Sequence, residues 1–173
     1  GQTMSNLAMA LVRIGQVKLG RGLHPGPELD EALQHLQASI AIDPKNRLAW
    51  NNRGFVLVMR AEWALARNED PGADLDAALA AFAECTRLDP RFPSPRINRA
   101  VALVDMAEWA IRHSRPTADM LADAGRSLKQ ALEVNASYPP ALVAMIRLHI
   151  AGARAAEAEG RSPEPSLKAA QAA

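Results

Sequence analysis

Residues 47–70 read RLAWNNRGFVLVMRAEWALARNED, and residues 71–90 continue PGADLDAALAAFAECTRLDP. Trp50, Gly54, Leu57, Ala61 and Leu65 are spaced 4, 3, 4 and 4, which puts them on one face of a helix. At about 1.5 Å per residue, a helix over 47–68 is roughly 33 Å long. Asp70 suits an N-cap and Pro71 a first helical position. Leu75, Ala78, Leu79, Phe82 and Cys85 then mark the inner face of a return helix over 71–88. The stretch predicts two antiparallel helices.

The same unit recurs on both sides. Asp43-Pro44 returns as Asp89-Pro90, and 89 − 43 = 46. Ala61-Glu62-Trp63-Ala64 returns at the same distance as Ala107-Glu108-Trp109-Ala110. Pro25, Pro71 and Pro163 share one phase, as do Leu29, Leu75, Leu121 and Leu167. A fixed period of this size, held without a gap, indicates stacked helical repeats. The helices expected outside the central unit run over 3–21 and 27–42, about 95–114 and 117–134, and 139–160, with a short Ala-rich one over 164–172. Gly20, Gly22 and His24-Pro25-Gly26-Pro27 punctuate the first pair. Repeats over 3–46, 47–92, 93–138 and 139–173 make one expected domain, 3–173, the last repeat being partial and capped by its truncated return helix. Gly1-Gln2-Thr3 ahead of Met4 reads as a start that lacks the native N-terminus.

The composition agrees. Of 173 residues 49% are hydrophobic but only 4% aromatic, so the core is built mainly of Ala, Leu, Val, Ile and Met. That suits close-packed helices rather than a β-sandwich. The net charge of +1 offers no general attraction to nucleic acid or a membrane surface. No apolar run is long enough to span a bilayer. One cysteine excludes an internal disulfide and a multi-cysteine zinc site.

The repeat positions resemble the tetratricopeptide repeat. That family places a Trp, a small and a large apolar residue on the first helix. Its second helix carries Ala, a large and another small residue, and Pro follows. Here the second repeat has Trp50, Gly54, Leu57, Ala78, Phe82, Cys85 and Pro90 at those places. The third has Arg96, Ala100, Leu103, Ala124, Leu128 and Ala131, with Ala136 in place of Pro. The first has Met4, Ala8, Leu11, Ala32, Leu36, Ser39 and Pro44. The resemblance implies an all-α, right-handed solenoid of antiparallel helix pairs, three full repeats and a partial fourth. The family period is 34 residues, so the extra 12 must lengthen both helices near the AEWA segments. Arg53 and Arg99 stand where the family is usually apolar. The long units also resemble regions C-terminal in bacterial serine/threonine kinases, although no kinase motif is present.

No catalytic or metal constellation emerges. There is no Gly-rich phosphate loop, HExxH or CxxC, and His24, His35, His113 and His149 are scattered over the repeats. No cofactor is expected. Cys85 falls where a small buried residue is wanted. Trp63 and Trp109 fall on a row, with Arg53, Val56 and Arg60 or Arg99, Ala102 and Met106, that predicts packing between repeats.

The family resemblance implies a concave groove lined by the remaining face of the first helices. Four rows cross it: Asn6, Asn52, Asn98 and Ala144; Met9, Phe55, Val101 and Arg147; Arg13, Met59, Asp105 and Ala151; Gln16, Glu62, Glu108 and Arg154. The Asn row matches the family residue that holds ligand backbone. An amide both donates and accepts, so it grips a main chain whatever the side chains. The expected function is a non-enzymatic interaction scaffold that binds an extended peptide, as the regulatory part of a larger, cytoplasmic signalling protein. Asn6, Met9, Asn52, Phe55, Met59, Glu62, Asn98, Val101, Asp105, Glu108 and Arg147 are the candidate peptide contacts. The acidic residues would favour a basic ligand residue, and Arg147 and Arg154 an acidic one. The competing reading is a structural or self-associating module that forms a homodimer. Nucleic acid is disfavoured by Glu62, Asp105 and Glu108 in the groove.

Overall fold

The computed structural model describes residues 2–172; Gly1 of the lead-in and Ala173 at the end of the expected domain lie outside them. Eight α-helices and no strand occur among the described residues. They are α1 (Gln2–Gly20), α2 (Gly26–Ile42), α3 (Arg47–Ala66), α4 (Gly72–Leu88), α5 (Ser94–Arg112), α6 (Ala118–Val134), α7 (Pro139–Ala158) and α8 (Glu164–Ala172). The starts of α2, α4, α6 and α8 at 26, 72, 118 and 164 are each 46 apart. The chain divides into two compact halves, residues up to Pro90 and residues from Arg91.

In the first half α1 pairs with α2, α3 pairs with α4, and α2 also packs on α3. Ala8, Leu36, Gly54 and Phe82 show how sequence sets this packing. A side chain on Gly54 would stand 2.4 Å from the Phe82 ring, so the largest buried side chain fits only over a glycine. At the same places the first pair has Ala8 and Leu36, and α5 and α6 have Ala100 and Leu128. All of these side chains are buried. Small against large is kept in sum while its partition shifts, as close packing requires. Ser39 and Cys85, at the third position of the second helices, are also fully buried, and Ser39 shares a 3.0 Å hydroxyl contact with Ser5.

In the second half α5 pairs with α6, and α7 packs on α5, α6 and α8. The short α8 has no buried residue, and Ser166 approaches α7 closely at Gly152. In both halves the added turns are closed by small residues. Ala61, Ala107 and Ala110 are buried in the AEWA segments, which are helical throughout.

The helix ends repeat as strictly as the core. Asp43, Asp89 and Asn135 close α2, α4 and α6 in extended conformations, each backbone N–H donating to the carbonyl four residues back. Gly22, Asn68, Ser114 and Gly160 all take positive φ, again 46 residues apart. Each follows a first helix in a Schellman turn; Leu23 N donates to Lys18 O, Glu69 N to Ala64 O, Arg115 N to Ala110 O and Arg161 N to Ala156 O, at 2.8–2.9 Å. The α4 cap falls one residue later than the sequence suggests. Pro71 is the N-cap, and Asp70 Oδ1 accepts the Gly72 N–H at 2.8 Å from outside the helix.

Candidate functional site

In the first half, α1 and α3 carry the expected ligand-facing side chains. Met9 and Phe55 are both half-buried and pack on one core cluster that includes Ala8, Val12, Leu29 and Val56. Their outer surfaces stay accessible. Asn52 is half-buried one turn from Phe55, and its Oδ1 accepts only a long 3.5 Å contact from Asn51 Nδ2. Asn6 is exposed and Glu62 half-buried. Met59 departs from the expectation. It is 3% exposed and belongs to the core cluster, close to the α1 backbone at Gly15. It holds α3 against α1 and α2, so it cannot line a binding face.

The second half repeats part of this arrangement on α5. Asn98 and Val101 are half-buried with the same i, i+3 offset. Its charges are arranged otherwise than expected. Asp105 is 2% exposed and accepts from Arg147 at 2.8 Å, and Arg154 reaches Glu108 at 3.3 Å. Both acids on α5 are thus engaged by α7. The pairing offsets the α5 acids expected to select a basic ligand residue; Asp105 is enclosed, while Glu108, Arg147 and Arg154 keep side-chain surface in solvent. Met59, Asp105 and Ala151 form one row of the sequence pattern and are all buried. That row packs first helices together within each half. Of the expected contacts, Asn6, Met9, Asn52, Phe55 and Glu62 in the first half and Asn98, Val101, Glu108 and Arg147 in the second stay at least partly accessible.

The tryptophans are half-buried rather than enclosed. Trp63 meets His24 edge-on with ring centroids 5.5 Å apart, and Arg67 lies 5.8 Å over its ring. The Trp109 and His113 rings meet with centroids 3.8 Å apart and planes tilted by 42°, and His113 Nδ1 is 2.9 Å from the Trp109 carbonyl. Trp50 donates from Nε1 to the Pro44 carbonyl at 2.9 Å, tying α3 to the preceding turn. Cys85 is fully buried, and burial pushes its thiol up to about 11.

Two features escaped the sequence reading. Arg60 donates to Asp74 through Nε at 2.7 Å and to Asp30 through a terminal nitrogen at 2.7 Å, so α2 and α4 are clamped across α3. The Asp74 hydrogen bond raises the Arg60 pKa further above its ordinary value. Beside this clamp is an open cleft of about 720 Å³, walled by α2 and α4 and floored by Arg53, Leu57 and Arg60 of α3. Arg53 was visible as an anomaly, since the family is apolar there; the cleft around it was not.

Among the described residues no group of three His, Cys, Asp or Glu is placed to hold a metal ion, and no helix is long and apolar enough to cross a membrane. The fold is that of a tetratricopeptide-repeat protein, all helical with neighbouring helices paired. It is similar to a thermophilic TPR protein in Thermus thermophilus, at a TM-score of 0.54 and 22% identity, over 95% of this chain and 73% of that one. No family model and no curated protein matches the chain.

Proposed function

We propose that the chain is a non-enzymatic protein-interaction scaffold, the regulatory part of a larger signalling protein, and that it receives an extended peptide segment on its first helices. The observation that carries this reading is the pairing of Phe55 with Asn52. Phe55 keeps part of its ring open although a core cluster lies directly beneath it. The Asn52 amide beside it retains donor capacity for a peptide carbonyl. An apolar ligand side chain on Phe55 and Met9 is the anchor, and Asn52 holds the main chain next to it. Asn98 and Val101 repeat the arrangement in the second half. The helices are preformed, so binding orders little on the protein side.

Each amide contributes about 1 kcal/mol net and the anchors are few, so affinity is expected around the micromolar range. The test takes a peptide selected from an unbiased random library and compares wild type with Phe55→Ala and with the double variant Asn52→Ala, Asn98→Ala. Losses of about tenfold or more are expected in each, since about 1.4 kcal/mol corresponds to tenfold. Unchanged affinity in both, with helicity intact, refutes the reading. A stable dimer whose interface covers Phe55 would assign this face to self-association instead.

A further inference from the structure

The cleft on the other side of α3 carries an independent inference. Arg53, Leu57 and Arg60 are centred roughly 150° around α3 from Asn52, Phe55 and Glu62, at about 100° per residue. The walls are Leu33, Ala38 and Ala41 of α2 and Ala73 and Ala77 of α4, with Gln34 and Gln37 at the rim. At one end, Asp30 and Asp74 are consumed by Arg60. Arg53 has no hydrogen-bond or ion-pair partner among the described residues: both aspartates are committed to Arg60, and the Arg53 guanidinium is left without a carboxylate of its own.

The equivalent arginine shows what is missing. Arg99 donates to Ser127 Oγ at 2.6 Å and lies 3.8 Å from Asp123. Subtracting 46 turns those two partners into Ala81 and Ala77. The fold keeps the arginine at both places and removes its internal acceptors at one. A guanidinium without a carboxylate, set among alanine and leucine side chains, is complementary to an acidic group on an apolar surface.

The backbone around it settles the shape of the occupant. All three sides are helices, whose peptide groups are already hydrogen-bonded, so an extended strand would find no main-chain partners here. A helix brings its own. Small walls at Ala38, Ala41, Ala73 and Ala77 allow another helix close approach, and Leu33 and Leu57 provide the apolar contact. We propose that this cleft docks one to two turns of a partner's amphipathic helix, an Asp or Glu of which pairs with Arg53 between flanking apolar residues. A singly charged carboxylate fits better than a phosphate, which would face Asp74 as well.

The experiment is a selection of helix-forming peptides, randomised on one face, against the wild-type chain. Methyl and arginine-side-chain NMR then maps the binding of the selected peptide. The expected result is enrichment of one acidic position with apolar residues three or four places away, and shifts confined to Leu33, Ala38, Ala41, Leu57, Ala77 and Arg53. Replacing that acid by its amide, or Arg53→Gln in the protein, should each weaken binding about tenfold or more. The double variant Ala77→Asp, Ala81→Ser supplies Arg53 with the internal partners that Arg99 has, and should weaken binding equally while leaving the helix content unchanged. Phe55→Ala should leave this binding intact, which separates it from the face proposed above. No selected binder, or binders indifferent to Arg53→Gln with the fold intact, overturns the proposal. So does sodium octanoate if it gives the same shifts at similar affinity, because a small amphipathic anion would then be the occupant.

Discussion

Gly54→Ala should destabilise this protein although it replaces a glycine inside a helix. At an unconstrained helical site the change gains about 1 kcal/mol of helix propensity. At Gly54 the new methyl carbon would stand 2.4–2.8 Å from three atoms of the Phe82 ring, and that ring is fully enclosed. Overpacking of this kind costs typically about 1–3 kcal/mol, and the severity of the overlap places it at the upper end. The net loss is expected to be about 1–2 kcal/mol, or roughly 2–8 °C in Tm for a chain of this length. Phe82→Leu alone leaves a cavity and should cost a similar amount. The double variant restores the Ala–Leu combination found at 8 and 36 and at 100 and 128, and should recover to within about 1 kcal/mol of wild type. Urea denaturation of the four proteins, followed by circular dichroism, gives the coupling. Gly125→Ala is the control, because its new carbon would meet only Leu148 at an ordinary 3.6 Å. Additive losses in the double variant, or a stabilising Gly54→Ala, would refute the packing argument.

Other consequences follow from single side chains. Cys85 should resist a thiol reagent at pH 8 in the folded state and react fast once urea unfolds it; rapid native labelling would show that the thiol is accessible. Its folded pKa is raised, so its contribution to stability is complete below the ordinary value of 9.0 and is lost as pH rises toward about 11, which urea midpoints over that range would register. Ser114→Gly should stabilise by up to about 1 kcal/mol, because positive φ costs a serine about 1–2 kcal/mol and the glycine returns part of that as unfolded-state entropy; a lower Tm would contradict the turn. Trp63→Ala should cost about 2.5 kcal/mol, since roughly half of a ring of about 200 Å² leaves a protected site at about 25 cal/mol per Å². Chemical denaturation of that variant checks the figure.

Most of the fold was legible because a period repeats the same information several times. One weak helix signal is ambiguous, whereas the same signal at 46-residue intervals fixes element type, direction and inner face together. The left-handed turn residues show the limit. Glycine declares that conformation at 22 and 160 and asparagine allows it at 68, but nothing about Ser114 does. The candidate site was less legible for a related reason. Periodicity tells which residues share a row, not which neighbour the row faces. Met59 and Asp105 read as groove residues by phase and turned out to be packing residues, because first helices approach each other along that row. The Arg147–Asp105 and Arg154–Glu108 pairs join different helices, and only packing brings them together. Arg53 stood out by residue type, yet its lack of partners depends on Ala77 and Ala81 of the neighbouring helix.

The proposed interaction face is tested most directly by photocrosslinking from inside it. A benzophenone amino acid placed at Phe55 should crosslink to the library-selected extended peptide, and the same group at Gln34, in the opposite cleft, should not. Crosslinking from position 34 alone, with the Phe55 variant folded and silent, would contradict the account.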